Sequence, residues 1–178
     1  METTYSGRQN AFFSKVNMQD IKTNESVKMK YISILSVFLT LLTSGNMYIY
    51  NKNSQYTSDI LFTWSGKYLY TGKSNYNSDI ICNYDGSHVY KGKNTYTSDI
   101  LFTWDGKHLY KGNSKYTSDI LFTWDGKYIY KGNNTYTSNI LYSYDAKHVY
   151  KGKSSYTSDI LYSTDGIIPV PILLTIIM

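Results

Sequence analysis

Apolar and polar positions along this chain recur with a period of 20 residues. Counted from Tyr56, Tyr76, Tyr96, Tyr116, Tyr136 and Tyr156, each block reads close to Y-T-S-D-I-L-F-T-W-D-G-K-H-L-Y-K-G-N-S-K, and the spacing never slips. Within the first block, Asp59 to Trp64 and Lys67 to Tyr70 are runs rich in β-branched and aromatic residues, the composition of strands. Between such runs stand Asp85-Gly86, Asp105-Gly106, Asp125-Gly126 and Asp165-Gly166, a dipeptide suited to a two-residue type I′ hairpin turn. Ser65-Gly66 is a weaker version. Asp145-Ala146 forces an alanine into a left-handed conformation that costs roughly 1 kcal/mol.

Pairing across a two-residue turn sets Thr63 against Tyr68, Phe62 against Leu69 and Leu61 against Tyr70. One face then carries Ile60, Phe62, Trp64 and Leu69, and it stays large and apolar down the array, as in Ile100, Phe102, Trp104 and Leu109 or Ile120, Phe122, Trp124 and Ile129. That face is the expected core. The other carries Leu61, Thr63, Tyr68 and Tyr70, a mixture of hydroxyls and aromatics that suits a half-wet surface. Links such as Lys111-Gly112-Asn113-Ser114-Lys115 are short, polar and turn-prone, so successive hairpins are antiparallel neighbours with no room for a crossover helix. The fold class is therefore all-β: tandem 20-residue β-hairpin repeats forming an elongated open antiparallel sheet or a hairpin solenoid, with a closed barrel as the alternative.

Four segments follow. Residues 1–28 are polar and aperiodic, read as disordered or as a mis-assigned start. Residues 29–45 place Met29-Lys30 before the apolar run from Tyr31 to Leu42 and the small residues Thr43-Ser44-Gly45, the layout of a secretory signal peptide. The competing reading is a degenerate first repeat, since Met47 to Tyr50 falls in phase with Lys67 to Tyr70. Residues 46–166 are the hairpin-repeat domain. Residues 167–178 form an apolar tail, too short and too rich in proline to span a bilayer, and are expected to cap the last hairpin. A tail that binds a partner or touches a membrane is the sharper alternative.

The Tyr-Lys-Gly triplets at Tyr90-Lys91-Gly92, Tyr110-Lys111-Gly112 and Tyr130-Lys131-Gly132, with the Asp-Gly turns, resemble MORN-type hairpin repeats. The 20-residue period and the stretch Asp125-Gly126-Lys127-Tyr128-Ile129-Tyr130 are also similar to choline-binding-type wall repeats. Both resemblances imply tandem hairpins, and neither transfers a binding residue.

Candidate chemistry is sparse. The net charge of +5 comes with Lys and Asp alternating within each block, so no basic stripe is presented and nucleic acid is a poor expectation as partner. Aspartates open the first strand at Asp59, Asp79, Asp99, Asp119 and Asp159, but Asn139 keeps the acceptor and drops the charge. That exchange suits a side chain hydrogen-bonding backbone at a strand entrance better than a calcium ladder. His88, His108 and His148 occupy the phase of Tyr68 and Tyr128, an exchange a metal site does not tolerate. Cys82, the single cysteine, stands where other blocks carry Phe or Tyr and reads as a small buried hydrophobe. The only glutamates are Glu2 and Glu25, outside the repeats, and no block breaks the symmetry as an active site does. The expectation is a protein that is not an enzyme and carries no cofactor.

Two functional readings remain. The favoured one is a structural or protein-interaction repeat module. The alternative is binding of a carbohydrate or cell-wall polymer on a repeated Tyr/His face made of Tyr68, Tyr70, His88, Tyr90, His108, Tyr110, Tyr128, Tyr130, His148 and Tyr150, because aromatic rings stack on sugar faces and repetition adds avidity. The partner is then a glycan or another protein. The signal-like segment points to a secreted or cell-surface protein, with the cytoplasm as the alternative.

Overall fold

The computed structural model describes residues 45–178. The polar segment 1–28 and the signal-like segment, up to Ser44, lie outside the described residues. Twelve strands follow in order: β1 (Met47–Asn51), β2 (Ile60–Trp64), β3 (Tyr68–Thr71), β4 (Ile80–Tyr84), β5 (His88–Lys91), β6 (Ile100–Trp104), β7 (His108–Lys111), β8 (Ile120–Trp124), β9 (Tyr128–Lys131), β10 (Ile140–Tyr144), β11 (His148–Lys151) and β12 (Ile160–Thr164). A short helix, α1 (Val170–Ile177), ends the chain. Each strand pairs antiparallel with its neighbours in sequence, and β12 pairs with β1, so the sheet is a closed barrel.

The structure takes the closed-barrel alternative over the open array, and the phase of the repeat explains it. Met47 to Asn51 begins the described fold halfway through a block, at the phase of a hairpin's second strand. Five hairpins are continuous in the chain; the sixth is assembled from β12 and β1. The Asp165 N–H donates to Tyr48 O at 3.3 Å, the same contact that Asp105 makes to His108 O within a continuous hairpin. The splice is tight, since a Cβ on Gly166 would lie 2.6 Å from Met47 Cγ. Met47 to Tyr50 is the partner strand of β12. It completes the last hairpin and leaves the sheet with no free edge.

The register differs from expectation by two residues. Trp64 faces Leu69 and Thr63 faces Tyr70, so Gly66-Lys67 forms the turn centre in place of Ser65-Gly66. Positive φ occurs only at the first central residue, 96° at Gly106 and 101° at Gly126, the pattern of a type II′ turn. The aspartate before it acts from outside: Asp105 Oδ1 accepts from the Lys107 and His108 N–H groups at 2.8 and 2.6 Å. An even shift preserves the faces, so Phe62, Trp64 and Leu69 point inward as expected. Ile60 does not. A bulge sets Ile60 opposite Tyr50 while Phe62 faces Ile49, and Ile100 and Ile120 likewise face Tyr90 and Tyr110. The extra residue moves these isoleucines outward, and Ile81 and Leu101, at the phase of Leu61, pack on the inner cluster instead.

The inner face is a ring of six fully buried side chains at one phase: Ile49, Leu69, Val89, Leu109, Ile129 and Val149. A barrel of this many strands leaves a lumen that strand side chains alone do not fill. Helix α1 fills it. Ile168, Ile172 and Leu173 share one buried cluster with Ile49, Leu69, Val89 and Val149, and Leu174 shares another with Leu109 and Ile129. The tail is therefore an axial plug, not a cap on the final hairpin, because a closed ring has no final edge to cover. Its prolines begin the helix, with Pro169 at the N-cap and Pro171 in the first turn. Among the described residues, no helix is long and apolar enough to cross a membrane. Cys82 sits at zero exposure in the same core, and burial pushes its thiol up to about 12.

Candidate functional site

The outer face repeats one arrangement six times. Across three adjacent strands, the register places a central hydroxyl or amide between two aromatic rings. The rows are Tyr48–Thr63–Tyr70, Tyr68–Asn83–Tyr90, His88–Thr103–Tyr110, His108–Thr123–Tyr130, Tyr128–Ser143–Tyr150 and His148–Ser163–Tyr50. All ten sequence-predicted site residues lie in these rows. The structure adds Tyr48 and Tyr50, which complete the sixfold set.

The two aromatic sides of each row differ in exposure. Tyr70, Tyr90, Tyr110, Tyr130 and Tyr150 are nearly buried, at 6 to 9% exposure, while Tyr68, His88 and their equivalents are half-buried. In five of the six strands the two rings meet edge to face, as Tyr128 and Tyr130 do at 6.4 Å. The central residue is pinned from below: Thr63, Thr103 and Thr123 donate to the carbonyls of Gly72, Gly112 and Gly132, and Ser163 donates to Lys52 O. Asn83 spends both amide hydrogens on Gly92 O and Asn94 O.

A carboxylate closes one end of each row in five units. The tyrosine hydroxyl donates to it: Tyr90 to Asp85, Tyr110 to Asp105, Tyr130 to Asp125, Tyr150 to Asp145 and, across the splice, Tyr50 to Asp165. The histidine rings approach the same carboxylates, with Nδ1 of His108 2.9 Å from Asp105 Oδ2. Burial opposes ionisation of Asp105, but the His108 and Lys107 N–H groups, the His108 ring and the Tyr110 hydroxyl outweigh it and hold the carboxyl below the usual carboxylate range. Asp85, Asp125 and Asp145 are lowered in the same way. The hydrogen bond to Asp125 pushes Tyr130 up to about 12.

The other border is the linker. Ser54, Ser114 and Ser154 donate to Asp59, Asp119 and Asp159, and each serine accepts a tyrosine backbone N–H, from Tyr56, Tyr116 and Tyr156. In the fifth block both partners change together, and Asn139 Nδ2 donates to Asn134 Oδ1 at 2.6 Å. The strand-entrance aspartates thus hold backbone through a serine, one step removed from the direct contact expected.

Grooves open between these borders. One of about 350 Å3 is lined by Ser87, His88, Thr103, Trp104, Asp105, Tyr110 and Lys115. Its equivalent on β10, about 510 Å3, is lined by Lys127, Ser143, Tyr144, Asp145, Tyr150 and Ser155 among others. Another of about 510 Å3 straddles the splice, between Lys147, Asp165, Tyr50 and Gln55. Each combines side chains of consecutive units, so no single block owns a site. A second feature invisible to the face assignment is a set of six exposed tyrosines, Tyr56, Tyr76, Tyr96, Tyr116, Tyr136 and Tyr156, 68 to 76% exposed on the linkers. Their phase served only to mark the repeat in the sequence. Among the described residues, no three His, Cys, Asp or Glu side chains are placed to hold a metal ion.

No curated protein and no solved structure matches the chain. A family model described as a 6-fold beta flower protein matches residues 49–173, a span running from the split strand β1 into the axial helix. The resemblances to MORN-type and choline-binding-type repeats are not supported beyond their shared tandem hairpins. With six hairpins in a closed ring and a match over most of its length, the chain belongs to the 6-fold beta flower protein family.

Proposed function

We propose that this ring is a non-enzymatic, multivalent binding module whose ligands are carbohydrates held in the grooves between consecutive units. The carrying observation is the sixfold row of aromatic, hydroxyl or amide, and aromatic side chains, bordered in five of the six by a fixed carboxylate. Ring edges give apolar walls for a sugar face, while hydroxyl and lysine groups supply the hydrogen bonds that orient it. The groove volumes of 350 to 510 Å3 suit a small ligand. Their carboxylates are occupied by tyrosine, histidine and backbone donors, an arrangement that fixes geometry and leaves no base free for proton transfer. Six weak sites on one rigid ring gain strength by avidity on a polymer or a cell surface. Secretion or surface display accords with that role, and the run Tyr31 to Leu42 is its sequence motif.

A glycan array followed by polysaccharide pull-down tests this reading. Filling grooves from the exposed linker, with Lys115→Trp and Ser155→Trp, should lower retention stepwise while leaving the fold intact. A blank array together with no retention would leave only the broader reading, a structural or protein-interaction repeat.

A further inference from the structure

The six units are not equal, and one departure falls in a hairpin turn. Five of the six hairpin turns carry glycine where the fifth has Ala146. Ala146 has φ 73°, a left-handed conformation that alanine rarely adopts. Packing does not account for the methyl: at the equivalent Gly66, Gly86, Gly106 and Gly126, a Cβ would meet nothing within 4 Å. Ala146 itself is exposed. Unrelieved backbone strain of this kind points toward a functional contact.

Its neighbourhood supplies one. Ala146 lines both of the cavities of about 510 Å3, with Trp124, Tyr144, Asp145 and Ser154 on one side and Lys147, Asp165 and Gln55 on the other. The grooves at Thr63 and Thr103 are smaller, about 170 and 350 Å3. The splice contributes to the difference, because Thr164 stands where Trp104 and Trp124 stand in other units and leaves room. Each large cavity brings one lysine and one aspartate, Lys127 with Asp145 and Lys147 with Asp165, so the pair is charge-balanced and favours a neutral ligand.

Resting on the carbohydrate reading, we infer that the principal site is this double groove, and that it takes an uncharged N-acetylated oligosaccharide long enough to cross Ala146. The alanine methyl and the Trp124 and Tyr144 rings offer apolar contact for an acetamido methyl, and Ser155 and Lys127 offer partners for its amide and for sugar hydroxyls.

Calorimetric titration with N-acetylglucosamine and its β-1,4-linked oligomers, beside cello-oligomers of equal length, tests the assignment. Affinity should rise with chain length beyond the disaccharide, and acetylated chains should bind more tightly than cello-oligomers. Ala146→Gly should weaken the longer acetylated chains by about tenfold, the low end for one methyl in an apolar contact, and leave the monosaccharide unchanged. Thermal unfolding of the variant checks that it folds. Length-independent binding, or an Ala146→Gly variant that binds every chain like the parent, would overturn the double groove. If these oligomers fail while other glycans are retained on the array, this inference falls and the broader carbohydrate reading stands. If no glycan is retained at all, both fall.

Discussion

The inner and outer faces of the ring come from the same block and solve opposite problems. Inside, six side chains of one phase are fully buried, yet their identities drift among Ile, Leu and Val. Outside, the rows hold more closely to pattern, with Tyr or His on one side, Thr, Ser or Asn in the middle and Tyr on the other. The difference follows from what each face meets. The lumen receives a single helix without sixfold symmetry, so each unit meets a different surface of α1 and close packing selects a different aliphatic shape. Among the described residues the outer face meets only neighbouring units, and there repetition is free to persist. A symmetric shell closed on an asymmetric plug concentrates stability at the axis and leaves the periphery available for recognition.

The comparison breaks most severely if the plug is lost. Leu173 is fully buried at the centre of the shared cluster, and Leu173→Ala should cost about 2–5 kcal/mol. A chain ending at Gly166 keeps every strand but exposes the inner ring, and should lose cooperative unfolding and bind a hydrophobic dye. A truncated chain that melts as sharply as the parent would show that the strands alone make the core.

The outer network is sharpened by acid. Asp85, Asp105, Asp125 and Asp145 have folded-state pKa values below those of the unfolded chain. Their contribution is therefore complete above the unfolded value, about 3.9, and is lost as pH falls through the lower folded values. Tm measured by calorimetry should be flat from about pH 7 to 5 and decline below about pH 4. A Tm that holds steady in strong acid would mean that these carboxylates serve recognition without supporting the turns.

How far the fold was legible in the sequence follows the same division. The hairpins, inner Phe62, Trp64 and Leu69 and buried Cys82 could all be read from period and residue type, because burial acts on each strand separately. Closure could be read only as an alternative to the open array, since the choice depends on Asp165 finding Tyr48 across 117 residues. Its one trace is that the repeat starts at Met47 in mid-block and stops at Gly166 where Met47 would continue. The turn was misplaced because Asp-Gly suggests type I′ residues, whereas the aspartate works as a side-chain cap and glycine opens the turn. Of the candidate site, the aromatic positions were visible. The grooves were not, because each is shared between units and depends on the register.

The smallest expected effect isolates a single hydrogen bond of the outer face. The first continuous hairpin carries Ser65 where five units carry aspartate. Ser65 Oγ accepts the Tyr68 N–H at 3.1 Å, but it is too short to reach the Tyr70 hydroxyl as the aspartates reach Tyr90, Tyr110, Tyr130 and Tyr150. Ser65→Asp should install both the second backbone contact and the tyrosine bond, raising stability by about 1 kcal/mol. A double-mutant cycle separates the two. In the parent, Tyr70→Phe should be nearly neutral; in the Ser65→Asp background it should remove most of the gain. If Tyr70→Phe costs the same in both backgrounds, the tyrosine–carboxylate pair contributes nothing to stability. Its repetition around the ring would then have to be explained by the ligand it positions.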